Sequence, residues 1–95
     1  MELKPAQAGT LESNDIMITV APGAQGSGVS IELESIVFAQ YGQAIRKTIA
    51  AVIAGQNVTD VYIKAVDRGA LDCTIRARTM TALARAGVVM AEELI

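Results

Sequence analysis

The apolar residues of this chain change their spacing near residue 35, and that change constrains the fold more than any other feature. Before it, Ile16, Ile18 and Val20 alternate with Met17 and Thr19, and Val29, Ile31 and Leu33 alternate with Ser30, Glu32 and Glu34. A period of two places one set of side chains on one face of a sheet, so both segments read as strands. After it, Phe38, Tyr41, Ile45, Ile49, Val52 and Ile53 recur three or four apart, the stripe of an amphipathic helix. Ser35 is the expected N-cap, and Gly55 followed by Asn57 the expected stop. Arg46 and Lys47 lie off the stripe, toward solvent. The strand pattern returns over residues 58–66, and Asp67-Arg68-Gly69 reads as a turn.

A second helix is expected over residues 70–86, stopped by Gly87. Leu71, Ile75, Thr79, Met80, Ala82, Leu83 and Ala86 cover one broad side of it, and Thr74, Arg78, Thr81 and Arg85 the opposite side. Arg76 projects within the apolar side, one turn after Asp72, which suits an intrahelical ion pair at the edge of the core. Upstream, residues 7–12 form a weaker strand candidate. A two-residue Ser13-Asn14 connection would join it to the next strand as a hairpin, with Asn14 able to take a positive φ and Ser13 at the exposed tip. Residues 22–28 form a flexible loop. The apolar segment 88–90 is suited to docking on the domain or a partner, and Glu92-Glu93 to solvent.

The order is β-β-β-α-β-α. This predicts an α+β fold in which a small sheet of about four strands carries both helices on one face as a two-layer sandwich. If the third and fourth strands pair in parallel, their crossover is expected to be right-handed. Pattern alone leaves the strand order open. At 95 residues the chain is one domain, 1–95, with no room for a nucleotide-binding doubly wound sheet.

Composition narrows the chemistry. Histidine, the commonest general base and metal ligand, is absent, so no serine–histidine or cysteine–histidine pair exists within the chain. Cys73 is the single cysteine, which precludes an internal disulfide and leaves a zinc site without sulfur or imidazole partners. It is expected to be a buried, inert thiol near the apolar side of the second helix. Residues 1–45 hold five acids and one base, and residues 46–95 hold five acids and seven bases. Those bases are scattered and lack interleaved aromatics, so no nucleic-acid partner is expected. No apolar run reaches the ~20 residues of a membrane span, and the first residues lack the pattern of a signal peptide, so a soluble cytoplasmic protein is expected.

Gly23, Gly26 and Gly28 lie between two strands rather than before a helix, which excludes a phosphate loop of the usual kind. Glu32 and Glu34 share an exposed strand face. Ser13, between Glu12 and Asn14-Asp15, is a turn serine with no base of its own. It is a poor nucleophile, but well placed to be modified by another enzyme.

Three separated motifs carry a family resemblance. Ala8-Gly9-Thr10-Leu11-Glu12-Ser13-Asn14-Asp15 resembles the A-G-T-L-E-S-x-D motif of the citrate lyase acyl carrier (gamma subunit) family. Residues 41–49 resemble its F-G-x-A-I-R-x-T-I stretch, and Gly69-Ala70-Leu71-Asp72-Cys73 with Ile75-Arg76-Ala77-Arg78 matches a third segment. The chain differs from the helical carriers of fatty-acid synthesis, whose attachment serine lies in a D-S-L motif at a helix start.

The resemblance implies a non-catalytic carrier subunit. Ser13 would hold a 2'-(5''-phosphoribosyl)-3'-dephospho-CoA group by a phosphodiester, and the thiol of that group would hold acetyl or citryl as a thioester. Implied partners are an alpha subunit that exchanges acetyl for citryl, a beta subunit that cleaves the citryl thioester, a prosthetic-group transferase and an acetylating ligase. The implied overall reaction is cleavage of citrate to acetate and oxaloacetate. The carriers of citramalate lyase and malonate decarboxylase are alternatives, although Leu11 and Glu12 speak against the second. A non-catalytic interaction module of the same architecture is a further alternative. The surface of Arg46 and Lys47, or the Arg76–Asp72 pair, is expected to touch a partner or the phosphates of the group.

Overall fold

A computed structural model describes residues 3–89. The elements are β1 (Ala6–Ala8), β2 (Ile16–Pro22), β3 (Val29–Ser35), α1 (Phe38–Gly55), β4 (Val61–Asp67) and α2 (Asp72–Arg85). They form the expected β-β-β-α-β-α sequence. The four strands make one mixed sheet in the order β1-β2-β4-β3. β1 and β2 are antiparallel, as are β2 and β4, whereas β3 and β4 run parallel. The last strand in sequence is thus inserted between two earlier ones, because a parallel β3–α1–β4 crossover returns it beside β3.

The period-two pattern becomes a burial pattern. Ile16, Ile18 and Val20 of β2 and Val61, Ile63 and Ala65 of β4 are all buried, facing Ile45, Ile49 and Ile53 of α1 and Ile75 and Leu83 of α2. Both helices lie on that one face. The alternation is weaker in β3, whose Ile31 and Leu33 are only partly buried and whose Val29 is exposed, because β3 is an edge strand. Arg46 of α1 donates from Nη1 to the Ile31 carbonyl at 2.7 Å, occupying an acceptor on that open edge.

Both helices end in the same way. Past α2, Gly87 (φ 105°) donates to the Ala84 carbonyl and Val88 to that of Leu83. Past α1, Asn57 (φ 59°) donates to Ala54 and Val58 to Ile53. These are paired reverse bonds of the Schellman type, which satisfy carbonyls the helix leaves open. Val88 is buried against the core and Val89 is exposed, so of these two described residues of the apolar tail the first docks on the domain. Met90, Glu92 and Glu93 lie outside the described residues.

Several expectations need correction. Ser35 ends β3 rather than capping α1. Its Oγ accepts from the Val37 amide and donates to Asp67, and Val37 occupies the cap position without a side-chain bond. Phe38 and Tyr41 belong to the apolar stripe by spacing but are half exposed. The 18 residues of α1 span about 27 Å, while the seven of β3 or β4 span about 23 Å. The first turn therefore overhangs the sheet. Leu71 likewise stands just before α2 and is largely exposed. Cys73 is exposed rather than buried. Two residues before the buried Ile75, it is turned about 200° from it around the helix. Arg76 also lies outward, paired with Asp72 at 2.9 Å as the i, i+4 spacing requires. Among the described residues, no helix is long and apolar enough to cross a membrane.

Ile63→Ala, at a fully buried position in the central strand, is expected to cost about 3 kcal/mol by removing apolar contacts and leaving a cavity. Ile36→Ala, at a position 68% exposed, should change stability by about 0.5 kcal/mol or less. Urea unfolding with unchanged slope measures both.

Candidate functional site

The segment between β1 and β2 presents the candidate residue. β1 ends at Ala8, four residues short of the end of the strand expected over residues 7–12, and residues 9–15 form a loop rather than a two-residue connection. Within that loop Ser13 and Asn14 are indeed the central residues of a tight turn, closed by the Asp15 amide donating to the Glu12 carbonyl at 3.2 Å. Asn14 takes φ 63°, the left-handed conformation that asparagine tolerates better than most residues.

Three features hold this turn from below, two of them sets of bonds. The Asp15 carboxylate accepts four hydrogen bonds. Two come from Arg78 of α2, Nε to Oδ1 at 3.0 Å and Nη2 to Oδ2 at 2.8 Å. The others come from the Thr10 hydroxyl and the Ile16 amide, both at 2.7 Å. Thr10 in turn accepts from the Glu12 amide at 3.2 Å. The second set extends the β2–β4 ladder: the Asn14 amide donates to the Arg68 carbonyl, and the Arg68 amide to the Asp15 carbonyl, each at 2.8 Å. The third is the backbone of Gly9. Its φ is 96°, and a Cβ there would overlap the carbonyl of Ile16, so the loop can leave β1 in this direction only through glycine.

Below the turn, Asp67 organises the neighbouring β4–α2 connection. Its buried carboxylate accepts from the Ser35 hydroxyl at 2.7 Å, from the Ala70 amide at 3.0 Å and from the Gly69 amide at 3.1 Å.

Ser13 is exposed, and its hydroxyl makes no hydrogen bond among the described residues. Glu12 beside it is also exposed, and Leu11 is 49% exposed. Electrostatically the site rests on Asp15. The hydrogen bonds from Arg78, then that from Thr10, hold its carboxyl well below the usual carboxylate range, and the same contact raises the Arg78 guanidinium above its ordinary value. The carboxylate is therefore committed to structure and is a weak base. Among the described residues no three Cys, Asp or Glu side chains gather into a metal site. The arrangement offers a presented hydroxyl without an activating base.

Sequence placed Arg78 on the side of α2 facing away from the core. It instead flanks the buried stripe, about 60° around the helix from Ile75, is partly buried, and reaches Asp15 of the Ser13 loop, 63 residues earlier in the chain. The signal available was that Asp15 and Arg78 each fall inside a recognised motif. Cys73, Glu32 and Glu34 are not brought to the site. The Tyr62 hydroxyl bonds Glu32 on the open face of the sheet.

Comparisons with known proteins agree with this geometry. A family model described as the malonate decarboxylase delta subunit matches residues 3–86. The citrate lyase acyl carrier protein of Halothermothrix orenii is 55% identical over 87 residues, covering 90% of each chain. That of Lacticaseibacillus casei is 53% identical, covering 90% of this chain and 84% of the relative. That of Streptococcus mutans is 50% identical over 90 residues, covering 94% and 87%. Among solved structures, a chain of the Pseudomonas malonate decarboxylase hetero-tetramer in complex with malonate superposes with a TM-score of 0.73 over 87% of this chain and 84% of that one. At 21% identity the likeness is one of fold.

Gly9→Ala is expected to dislodge the loop, at a cost above about 1 kcal/mol since both strain and overlap oppose it. Asp15→Asn tests the clamp through pH. Because the folded-state pKa lies below the unfolded one, the carboxylate's stabilisation is present at neutral pH. It declines below about pH 4, near the unfolded value, and is lost as pH falls through the depressed folded value. The melting temperatures of the two proteins should therefore differ most at pH 7, and the gap should narrow progressively as pH falls below about 4. A gap independent of pH would contradict the clamp. The motifs, the fold and the identities together show that the chain belongs to the family of citrate lyase acyl carrier proteins.

Proposed function

We propose that the chain is the acyl carrier subunit of citrate lyase, and that Ser13 is the residue through which it carries its prosthetic group. The observation that supports this most is the exposed Ser13 hydroxyl, free of internal bonds, on a loop whose neighbours are all tied down. A phosphodiester formed at this oxygen displaces no hydrogen bond among the described residues and meets open solvent, so the residues present fit a phosphoribosyl-dephospho-coenzyme A group. When bound, that group supplies a thiol able to hold acetyl or citryl as a thioester.

The chain's own residues present and restrain. Arg78 and Asp15 hold the base of the loop, and the Asn14–Arg68 bonds join it to the central strand. Leu11 and Glu12, both exposed, form the surface that a prosthetic-group transferase and an acetylating ligase would read beside Ser13. Acid–base chemistry falls to the partners: an alpha subunit for acyl exchange and a beta subunit for cleavage of the citryl thioester. A short tether makes each transfer effectively intramolecular, at roughly millimolar effective concentration. Lys47, exposed beside Arg46, remains available for a partner, whereas Arg46 and Arg76 are already engaged with Ile31 and Asp72.

A malonate decarboxylase carrier shares the fold, but identities of 50–55% to citrate lyase carriers outweigh a 21% likeness of fold.

Reconstitution tests the proposal. Loaded chain added to the alpha and beta subunits is expected to restore citrate cleavage, the chain alone to be inert, and Ser13→Ala to support no turnover. Turnover with Ser13→Ala would overturn the assignment.

A further inference from the structure

The overhanging first turn of α1 and the start of α2 enclose a groove of about 350 Å³, within the roughly 300–1,000 Å³ of small-molecule sites. Val37, Tyr41 and Ala44 line one wall and Leu71 and Ile75 the other, with Gly69 at one end. The groove is mostly apolar, and Tyr41 and Leu71 are 55% and 69% exposed along its rim. Its polar end is already satisfied: the Thr48 hydroxyl donates to Asp72 at 2.7 Å, and Arg76 pairs with the same carboxylate.

The end at Gly69 adjoins the Ser13 turn. Arg68, the preceding residue, accepts the Asn14 amide bond. A Cβ at Gly69 would lie 3.6 Å from Asn14 Oδ1. An apolar groove thus opens directly beside the carrying turn. A ligand tethered at Ser13 meets it at high effective concentration, so even weak contacts populate it.

We propose that this groove is a resting site for the uncharged, thioester-bearing end of the group carried on Ser13. The inference rests on the carrier reading above. Charge selects among acyl forms. The groove's carboxylate, Asp72, has its neighbouring cation, Arg76, already paired with it, so an acyl group bearing its own carboxylates would sit beside a like charge without a partner. An acetyl end meets no such cost. The acetylated carrier rests folded against its own domain, and the citryl form is released toward solvent.

Amide NMR of the loaded chain tests this, with Cys73→Ser so that the group's thiol is the only one. Intact mass first confirms the load on Ser13; a chain loaded elsewhere, or not at all, overturns the carrier reading itself. Capping the thiol with iodoacetamide gives an uncharged end, and capping with iodoacetate an anionic one. Relative to unloaded chain, the uncharged cap is expected to shift the amides of Tyr41, Ala44, Leu71 and Ile75. The anionic cap should shift them less. Ala44→Trp, which fills the groove from the exposed face of α1, should return the remaining groove amides to their unloaded positions while leaving the spectrum dispersed. With Ser13 loaded, shifts confined to residues 9–15 and 68 overturn the groove while the attachment stands. Equal shifts with both caps overturn the charge selection. Groove shifts that arise only on adding the alpha or beta subunit make it a protein-docking face and likewise overturn the inference.

Discussion

The presentation of Ser13 depends on one carboxylate. Asp15 gathers the first loop around itself by accepting from Thr10 and Ile16, and fastens that loop to the last helix through both nitrogens offered by Arg78. Planar guanidinium and carboxylate groups paired by two parallel bonds fix orientation as well as distance. A loop of seven residues between β1 and β2 would otherwise be free to move. Here its base is held while its tip, Ser13, makes no internal bond. Anchored flanks and a free hydroxyl suit the proposed carrier role, in which the attached group would supply the reach and the partner subunits the chemistry.

The rest of the fold supports that arrangement from the other side. β4 lies between β2 and β3, so its C-terminal end reaches the Ser13 turn and the start of α2 together. Buried Asp67 at that end ties Ser35, Gly69 and Ala70 into one junction. The same junction forms one end of the groove between the helices. The Ser13 turn and the groove are thus built on one structural seam, so the proposed tethering point and the proposed resting surface adjoin.

Much of this was legible in the sequence. The change of period located three strands and both helices, Asn14 marked the turn, and the absence of histidine excluded a serine–histidine or cysteine–histidine pair. What was not legible is tertiary. A helical pattern reports which side of α2 is apolar but not what approaches its other sides, so Arg78 read only as lying opposite the apolar side although it meets Asp15. Apolar spacing put Phe38 and Tyr41 in the core, yet the helix is longer than the strands beneath it. Cys73 read as buried because it sits near the apolar side of the helix, but its angular distance from Ile75 turns it outward. The insertion of β4 follows from parallel pairing, which no single strand's pattern encodes. Gly9 was visible within a motif, but its need for a positive φ and its closeness to Ile16 belong to the folded chain.

On the proposed reading, the Ser13 hydroxyl carries the prosthetic group. Intact-mass and fragmentation analysis of the chain isolated from its own cells growing on citrate tests it most directly. The account predicts a single phosphoribosyl-dephospho-coenzyme A addition located on Ser13 and missing from Ser13→Ala. An unmodified chain, or the same group on another residue, would contradict it.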